Sequence, residues 1–342
     1  MNKIIGLDIG SSSIKVASIK KDGALFALES VAVSPTTAKG MTSESLIDLQ
    51  AMADAIKNLL SSSGIKTQDV ALSVPESQVY TKVIEMPDLS SQELSAALKF
   101  EMEQYVPLPL DQAKTDWEVL GKNEVGGKKM VDVMIVAAPI GIIQKYEKVM
   151  ELAKLLPQVV ETEIVSVHRA LLPLVNNTDS NMIVHIGATT TSVAIVKNGI
   201  IRMVFSAALG GLAITRAISV DLGIDMTQAE NYKKAYGLNK DAFEGKVGKA
   251  LAPILDSIVG DIRKALLSFQ EKNNNETIKQ VVLSGGSSLL PGIDVYFTNA
   301  LSSQVVLGNC FTAYNIQNVP NELMIEAPSY NVVIGLGLRN LI

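Results

Sequence analysis

The sequence predicts an α/β protein of two related halves, with a smaller subdomain set into the first half. Three observations carry this. A strand, a Gly/Ser turn and a return strand occupy residues 4–19, and the same unit recurs at residues 184–199. Strand-like and helix-like apolar periods alternate along most of the chain. Between about residue 80 and residue 165 the order becomes strand, helix, two strands and helix, as an inserted unit would read.

The chain opens on Gly6-Leu7-Asp8-Ile9-Gly10-Ser11-Ser12-Ser13-Ile14-Lys15. Ile4, Ile5 and Leu7 form a buried strand that Asp8-Ile9-Gly10 stops. Ile14, Val16, Ala17 and Ile19 form the return strand, and Asp22-Gly23 marks a tight hairpin turn. Gly10 lets backbone approach a ligand. The N–H groups and hydroxyls of Ser11, Ser12 and Ser13 can surround a phosphate. Asp8 at the strand end suits hydrated Mg²⁺, which prefers one or two carboxylates with waters. The same pattern also suits an ordinary hairpin with a small-residue turn.

A third strand follows at 25–33, a loop at 35–40, a helix at 45–60 on helical spacing, and a strand at 70–74 closed by Pro75. In the insert, a strand at 79–86 precedes a helix capped by Ser90 or Ser91, with Leu94, Ala97, Leu98, Met102 and Tyr105 on one face. Val106-Pro107-Leu108-Pro109 stops it. Strands at 114–120 and 130–137 flank a Gly-rich turn at 123–129, and Pro139 opens a helix to 156. The expected divisions are 1–79 with 160–180, an insert over 80–159, and a second half over 181–342 whose closing helix returns to the first.

After a helix at 164–175 comes the repeat. Ile9-Gly10 aligns with Ile186-Gly187, Ser11 to Ser13 with Ala188, Thr189 and Thr190, and Asp22-Gly23 with Asn198-Gly199. Two copies imply a duplicated architecture, and the cleft between halves is the natural ligand site. A strand at 202–208 leads through Gly210-Gly211 to a helix at 212–222, whose N-terminus is expected to offer free N–H groups to an anion. On the helix at 225–236, Glu230 and Lys233 share a face, as a ligand contact or as a solvated salt bridge. A long helix covers 250–269. The strand at 279–283 enters Ser284-Gly285-Gly286-Ser287-Ser288-Leu289-Leu290-Pro291-Gly292, where paired glycines let a flat group such as a purine lie against backbone. A helix at 295–301 and a small-residue segment at 332–338 complete the chain.

With 342 residues, 47% apolar and 19% charged, two folded domains are expected. A net charge of −5 argues against a nucleic-acid partner. Cys310 is the single cysteine and His168 and His185 the only histidines, so no disulfide framework, Cys-based metal site or His-rich centre is expected, in keeping with a reducing cytoplasm. Asn2 and Lys3 run directly into the first strand and Asp8 interrupts any apolar run, so no signal peptide is expected. No stretch of about 20 residues is continuously apolar, so neither is a transmembrane helix.

These motifs together resemble the ATPase fold shared by actin, sugar kinases, the heat-shock chaperone ATPase domain, MreB and FtsA. The insert narrows the match. Met86-Pro87-Asp88-Leu89-Ser90, Glu93-Leu94 and Phe100-Glu101-Met102-Glu103-Gln104-Tyr105-Val106-Pro107-Leu108-Pro109-Leu110-Asp111 are similar to the PilM family. Its members are actin-like, FtsA-related cytoplasmic proteins of type IV pilus and type II secretion assembly. The chain's end at Arg339-Asn340-Leu341-Ile342 leaves no room for the membrane-targeting helix usual in FtsA, which favours PilM over FtsA.

The resemblance implies ATP or ADP with Mg²⁺. Asp8, Gly10, Ser11, Ser12, Ser13 and Lys15 would contact phosphates or metal, and Gly187, Ala188, Thr189 and Thr190 would close from the other side. Gly210 and Gly211 would line the cleft, Glu230 would meet the ribose, and Lys233 or Lys234 would flank the adenine. Gly285, Gly286, Ser287 and Leu290 would form the adenine floor. It further implies docking of the N-terminal cytoplasmic tail of PilN, and through it PilO, the inner-membrane platform and its motor ATPases. The expected groove is walled by Phe100, Tyr105, Val106 and Leu108, with residues 131–136 as sheet, by strand addition or apolar pockets.

One position departs from the pattern: His185 stands where the second turn normally has Asp. Neutral or cationic imidazole does not replace a carboxylate towards Mg²⁺. A protonated His185 could meet a terminal phosphate, or the ring could bond nearby backbone. Glu161 and Glu163 are candidates for orienting water, with Glu163 the better fit. ATP binding with slow or absent hydrolysis is therefore expected. The alternatives are an FtsA-like filament protein and an actin-fold small-molecule kinase, for which no substrate base is evident.

Overall fold

The computed structural model describes residues 3–342, with the side chains of Asn123 and Val125 outside the described set. The expectation drawn from Asn2 lies outside the described residues.

The first half begins with β1 (Ile5–Ile9), β2 (Ser13–Asp22), β3 (Leu25–Pro35), α1 (Leu46–Ser63) and β4 (Asp69–Val74). The insert follows as β5 (Tyr80–Pro87), α2 (Ser91–Tyr105), β6 (Ala113–Val125) and β7 (Lys128–Pro139). The chain returns through α3 (Ile140–Ala153), β8 (Leu156–Thr162) and α4 (Glu163–Val175). The second half comprises β9 (Ser180–Ile186), β10 (Thr191–Lys197), β11 (Ile200–Ala207), α5 (Gly211–Leu222), α6 (Met226–Tyr236), α7 (Lys246–Lys272) and β12 (Gln280–Ser284). It ends with α8 (Ile293–Leu301), β13 (Gln304–Leu307), α9 (Cys310–Ala313), α10 (Asn321–Ile325) and α11 (Asn331–Leu338).

The duplication is explicit in the sheets. One has the order β3-β2-β1-β4-β8 and the other β11-β10-β9-β12-β13. In each, an antiparallel three-strand unit continues into two parallel strands.

Period-2 burial builds the layers. Ile5, Leu7 and Ile9 of β1 join Met52 and Ile56 of α1 in one core. Gly6 and Asp8 take the alternate positions along β1, and at Gly6 an added Cβ would stand 2.2 Å from the Val333 carbonyl, so only glycine admits α11 there. Between the two sheets lies a shared core of Ile164, Val167, Ala170 and Leu171 from α4 and Val333, Ile334 and Leu336 from α11. The outer face of the second sheet is covered by Ile214 and Ile218 of α5 and Leu255, Ile258 and Ile262 of α7.

In the insert, Val131, Val133 and Ile135 face Leu94, Leu98 and Met102 of α2. Their neighbour Met134 joins the shared core instead. Helix α2 starts at Ser90 with a reciprocal capping box, in which Ser90 accepts from the Glu93 amide and Glu93 from the Ser90 amide.

Several elements differ from expectation. The helix expected from Pro139 to 156 ends at Ala153, with Lys154 in the left-handed region at φ 60°. Residues 156–162 form β8, pairing with β4; Pro157 and the short run disguise an edge strand in the sequence. The packing of α3 also differs. Its Tyr146, Val149 and Met150 share the core of α1 in the first half, so the unit with its own core ends near Pro139 rather than at 159. The hairpin turn tightens to Gly126-Gly127, at φ 58° and 77°, because both strands run longer than their apolar stretches. Strand β13 and helices α9 and α10 lack a strong sequence period.

Candidate functional site

The two glycine turns face each other where the halves meet. In the first, the Gly10 amide donates to Ser13 O at 3.0 Å; in the second, the Gly187 amide donates to Thr190 O at 2.9 Å. Ser11 Oγ and Thr189 Oγ1 stand 3.3 Å apart across the junction. Among the described residues, the amides of Ser11, Ser12, Ala188 and Thr189 donate to no protein acceptor. Two turns thus present four free N–H groups and two hydroxyls to one place, a donor set suited to phosphate oxygens.

Each turn is held from behind. Thr36 supports the first, its Oγ1 donating to Gly10 O at 2.6 Å and its amide to Ser12 O at 3.1 Å. Sequence reasoning missed this residue, which sits in a loop with no motif. The second turn is held by the start of α5: Gly211 and Leu212 amides donate to Gly187 O and Ala188 O at 2.9 and 2.8 Å. The expected free N-terminus of α5 is therefore already used by the turn. Gly210 packs beneath it, where an added Cβ would lie 2.7 Å from Gly187 O and Thr190 N.

The floor carries two acids. Asp8 is buried, and burial raises its pKa against the opposing pull of Lys15. Lys15 Nζ lies 3.8 Å from Asp8 Oδ2 and donates to Ser13 Oγ at 2.8 Å. Glu163, the first residue of α4, has its pKa pushed up to about 8 by burial and then by Asp8 and Glu76. It is therefore protonated at neutral pH, beside Asp8. Glu161 is occupied elsewhere: its carboxylate takes Arg169 at 2.5 and 2.8 Å and also Arg339 from the chain's end. That leaves Glu163 as the acid at the site.

His185 differs from the protonated expectation. Burial, and secondarily Lys15, lower its pKa to about 4, so the ring is neutral. Its Nδ1 lies 3.0 Å from Ser284 Oγ, a side chain rather than backbone.

The remaining predicted residues form the far side of the second turn. Lys233 is buried and donates to Glu230 at 2.6 Å, Thr215 Oγ1 at 2.9 Å and Gly211 O at 3.2 Å. Burial lowers its pKa, partly offset by Glu230. The pair is thus an internal brace rather than a solvated bridge, while Lys234 is exposed and 3.5 Å from Glu230. Gly285 needs its φ of 88° and its missing Cβ, which would stand 2.3 Å from Ile186 O. Gly286 lies near Ser329, whose Oγ would be 3.6 Å from an added Cβ. Ser287 Oγ reaches Gly187 O at 3.5 Å, tying the third turn to the second. Leu290 is set apart from these, as part of the second half's core.

In the insert, Val106 is buried in the core, and Tyr105 and Leu108 pack against it. Lys82 Nζ sits 3.4 Å from the Tyr105 ring centre, a cation–π contact. Phe100 is the outward residue of the four, 73% exposed. Strand β7 is central, in the order β5-β7-β6, so residues 131–136 have both edges paired and cannot take an added strand.

Among the described residues, no three His, Cys, Asp or Glu side chains converge as a metal site. Asp8 fits the alternative arrangement, in which a hydrated cation arrives with phosphate oxygens and takes one carboxylate.

The model of the family described as type IV pilus assembly protein PilM matches residues 6–341. Cell division protein FtsA of Streptococcus pneumoniae is 24% identical, over 97% of this chain and 78% of its own length. The solved PilM–PilN type IV pilus biogenesis complex superposes with a TM-score of 0.85 at 24% identity, over 100% of this chain and 99% of the matched chain. MreB5 of Spiroplasma citri bound to AMPPNP gives 0.52 at 16% identity, over 91% and 94%. The fold is the actin-like ATPase fold, with mixed sheets in both halves. Matched from its first turn to its last helix, the chain belongs to the type IV pilus assembly protein PilM family.

Proposed function

We propose that this protein binds ATP or ADP with Mg²⁺ between its two glycine turns. On this reading it serves pilus assembly by docking the N-terminal tail of a PilN-type partner. The observation that carries the nucleotide reading is the pair of facing turns, with four amides free of protein acceptors and Ser11 and Thr189 3.3 Å apart. Gly10, Ser11, Ser12 and Ser13 would hold phosphate from one side and Gly187, Ala188, Thr189 and Thr190 from the other. Lys15 supplies positive charge, and Asp8 would take the cation. Glu230, Lys233, Gly286 and Ser287 would border the nucleoside. When bound, Mg²⁺ neutralises phosphate charge.

Hydrolysis is expected to be slow. Glu163 carries a proton at neutral pH, so it is a poor acceptor for an attacking water. His185 is neutral and tied to Ser284. Such a site would hold phosphate and activate water poorly, as a nucleotide used to set the cleft angle requires.

The partner reading rests on family membership and on likeness to a chain solved with PilN. Through that tail the protein would reach PilO, the inner-membrane platform and the motor ATPases, and sit at the membrane from the cytoplasmic side. No described helix is long and apolar enough to cross a membrane itself. The test is co-purification with a PilN N-terminal peptide, with and without ATP. Binding of the peptide supports the proposal. Filaments on bare lipid without peptide binding would favour an FtsA-like role, and phosphorylation of a sugar would favour a kinase.

A further inference from the structure

His185 and Ser284 are direct neighbours on the parallel strands β9 and β12. Ser284 is fully buried, and two groups reach its hydroxyl. Asn331 Nδ2, which can only donate, lies 2.9 Å away. His185 Nδ1 lies 3.0 Å away. The Ser284 O–H needs an acceptor, and His185 Nδ1 is the one it has. The ring's proton therefore sits on Nε2. On the other flank Ser192 faces His185 across β10, but its Oγ has no hydrogen-bond partner, so it does not compete.

Asn331 is itself bonded at both ends of its amide. Its Nδ2 also donates to Gly308 O at 3.0 Å, and its Oδ1 accepts from the Cys310 amide at 3.3 Å. The amide orientation is thereby fixed, and with it the direction of the whole chain. Asn331 begins α11 as Glu163 begins α4, the counterpart helix of the other half. Nε2 points to the second turn, 3.9 Å from where a Cβ on Gly187 would stand.

We infer that His185 is a neutral hydrogen-bond donor to a terminal phosphate oxygen, with Ser284 and Asn331 as the positioning residues that hold its proton on Nε2. This rests on the nucleotide reading above and gives it a discriminating residue: a donor at the second turn senses whether the terminal phosphate is present. The link also runs through α11, whose far end packs in the first half, so the donor is set by a helix shared between halves.

The test pairs two readouts on the full chain at fixed neutral pH. The first is ¹⁵N NMR of histidine-labelled protein, which distinguishes ring tautomers; His168→Gln removes the other histidine signal. The second is equilibrium binding of ATP and of ADP. Wild type should show Nε2–H, and Ser284→Ala should yield mixed tautomers, with Ser284→Thr restoring the single one. His185→Leu should weaken ATP binding about tenfold to a hundredfold, as for a hydrogen bond to a charged group, and ADP binding far less. His185→Gln, which can place an amide donor at a similar reach, should retain most ATP affinity. An Nδ1–H ring, or equal losses for ATP and ADP in His185→Leu, overturns the inference and leaves the nucleotide reading standing. Wild type that binds neither nucleotide, with the tautomer as expected, overturns both.

Discussion

Replacing Glu163 by Gln should reshape the dependence of stability on pH. Glu163 has a pKa of about 8 in the folded chain, against an ordinary 4.5. A group whose folded pKa is raised lends stability that is complete below its unfolded pKa and is lost as pH rises through the folded one. The full difference amounts to about 5 kcal/mol, at about 1.4 kcal/mol per pH unit. Both histidines act in the opposite sense. His168 and His185 are lowered to about 4 from 6.5, so their contribution grows with pH up to about 6.5 and is then constant. Asp8 and Glu76 are raised by burial too, so each adds to the loss in the same direction as Glu163. Between about pH 6.5 and about pH 8.5 the Glu163 proton accounts for about 2 kcal/mol. Gln has no proton to lose and removes the repulsion on Asp8. Scanning calorimetry at the two pH values should show the wild-type Tm falling by about 3 °C more than that of Glu163→Gln. Parallel pH profiles for the two proteins would refute the assignment of a protonated Glu163.

The neighbouring Glu161→Gln acts through a different contact. It breaks the partly buried pairing with Arg169 and Arg339 and should cost about 1–3 kcal/mol at neutral pH, read by urea denaturation. Gly210→Ala puts a methyl 2.7 Å from Gly187 O and Thr190 N; a cost of about 1–3 kcal/mol is expected, with weaker ATP binding by fluorescence titration and retained ordered structure by far-UV circular dichroism. Phe100→Ala removes a side chain that is 73% exposed, so Tm should stay within about 1 °C while affinity for a PilN-tail peptide falls in a pull-down or by calorimetry.

How much of this was legible in the sequence depended on whether a feature was local. The two turns were visible as Asp8-Ile9-Gly10-Ser11 and His185-Ile186-Gly187-Ala188 because a close turn between strands demands small residues at fixed spacing. The start of α2 was visible as a Ser90 or Ser91 cap, and the structure selects Ser90, completed by Glu93 in a capping box. By contrast β8 was hidden. It is an edge strand with Pro157, and its pairing to β4 comes from residues more than 80 positions away. The role expected of Gly210-Gly211 also changed: their amides and bare Cα positions serve the second turn. Lys233 looked like one end of a surface pair, and only packing of α6 on α5 makes it a buried brace.

The sequence by itself determined the duplication, the two turns, the inserted unit and the one residue at which the copies differ, Asp8 against His185. Each follows from steric or periodic requirements within about ten residues. Tertiary structure decided the chemistry at those positions. Desolvation, reinforced by Asp8 and Glu76 at Glu163 and by Lys15 at His185, makes Glu163 an acid that keeps its proton and His185 a base that stays neutral. Long-range hydrogen bonds through Ser284 and Asn331 decide which ring nitrogen carries the hydrogen. Protonation is governed by desolvation and by neighbours brought from distant sequence, and neither is written in the local order of residues.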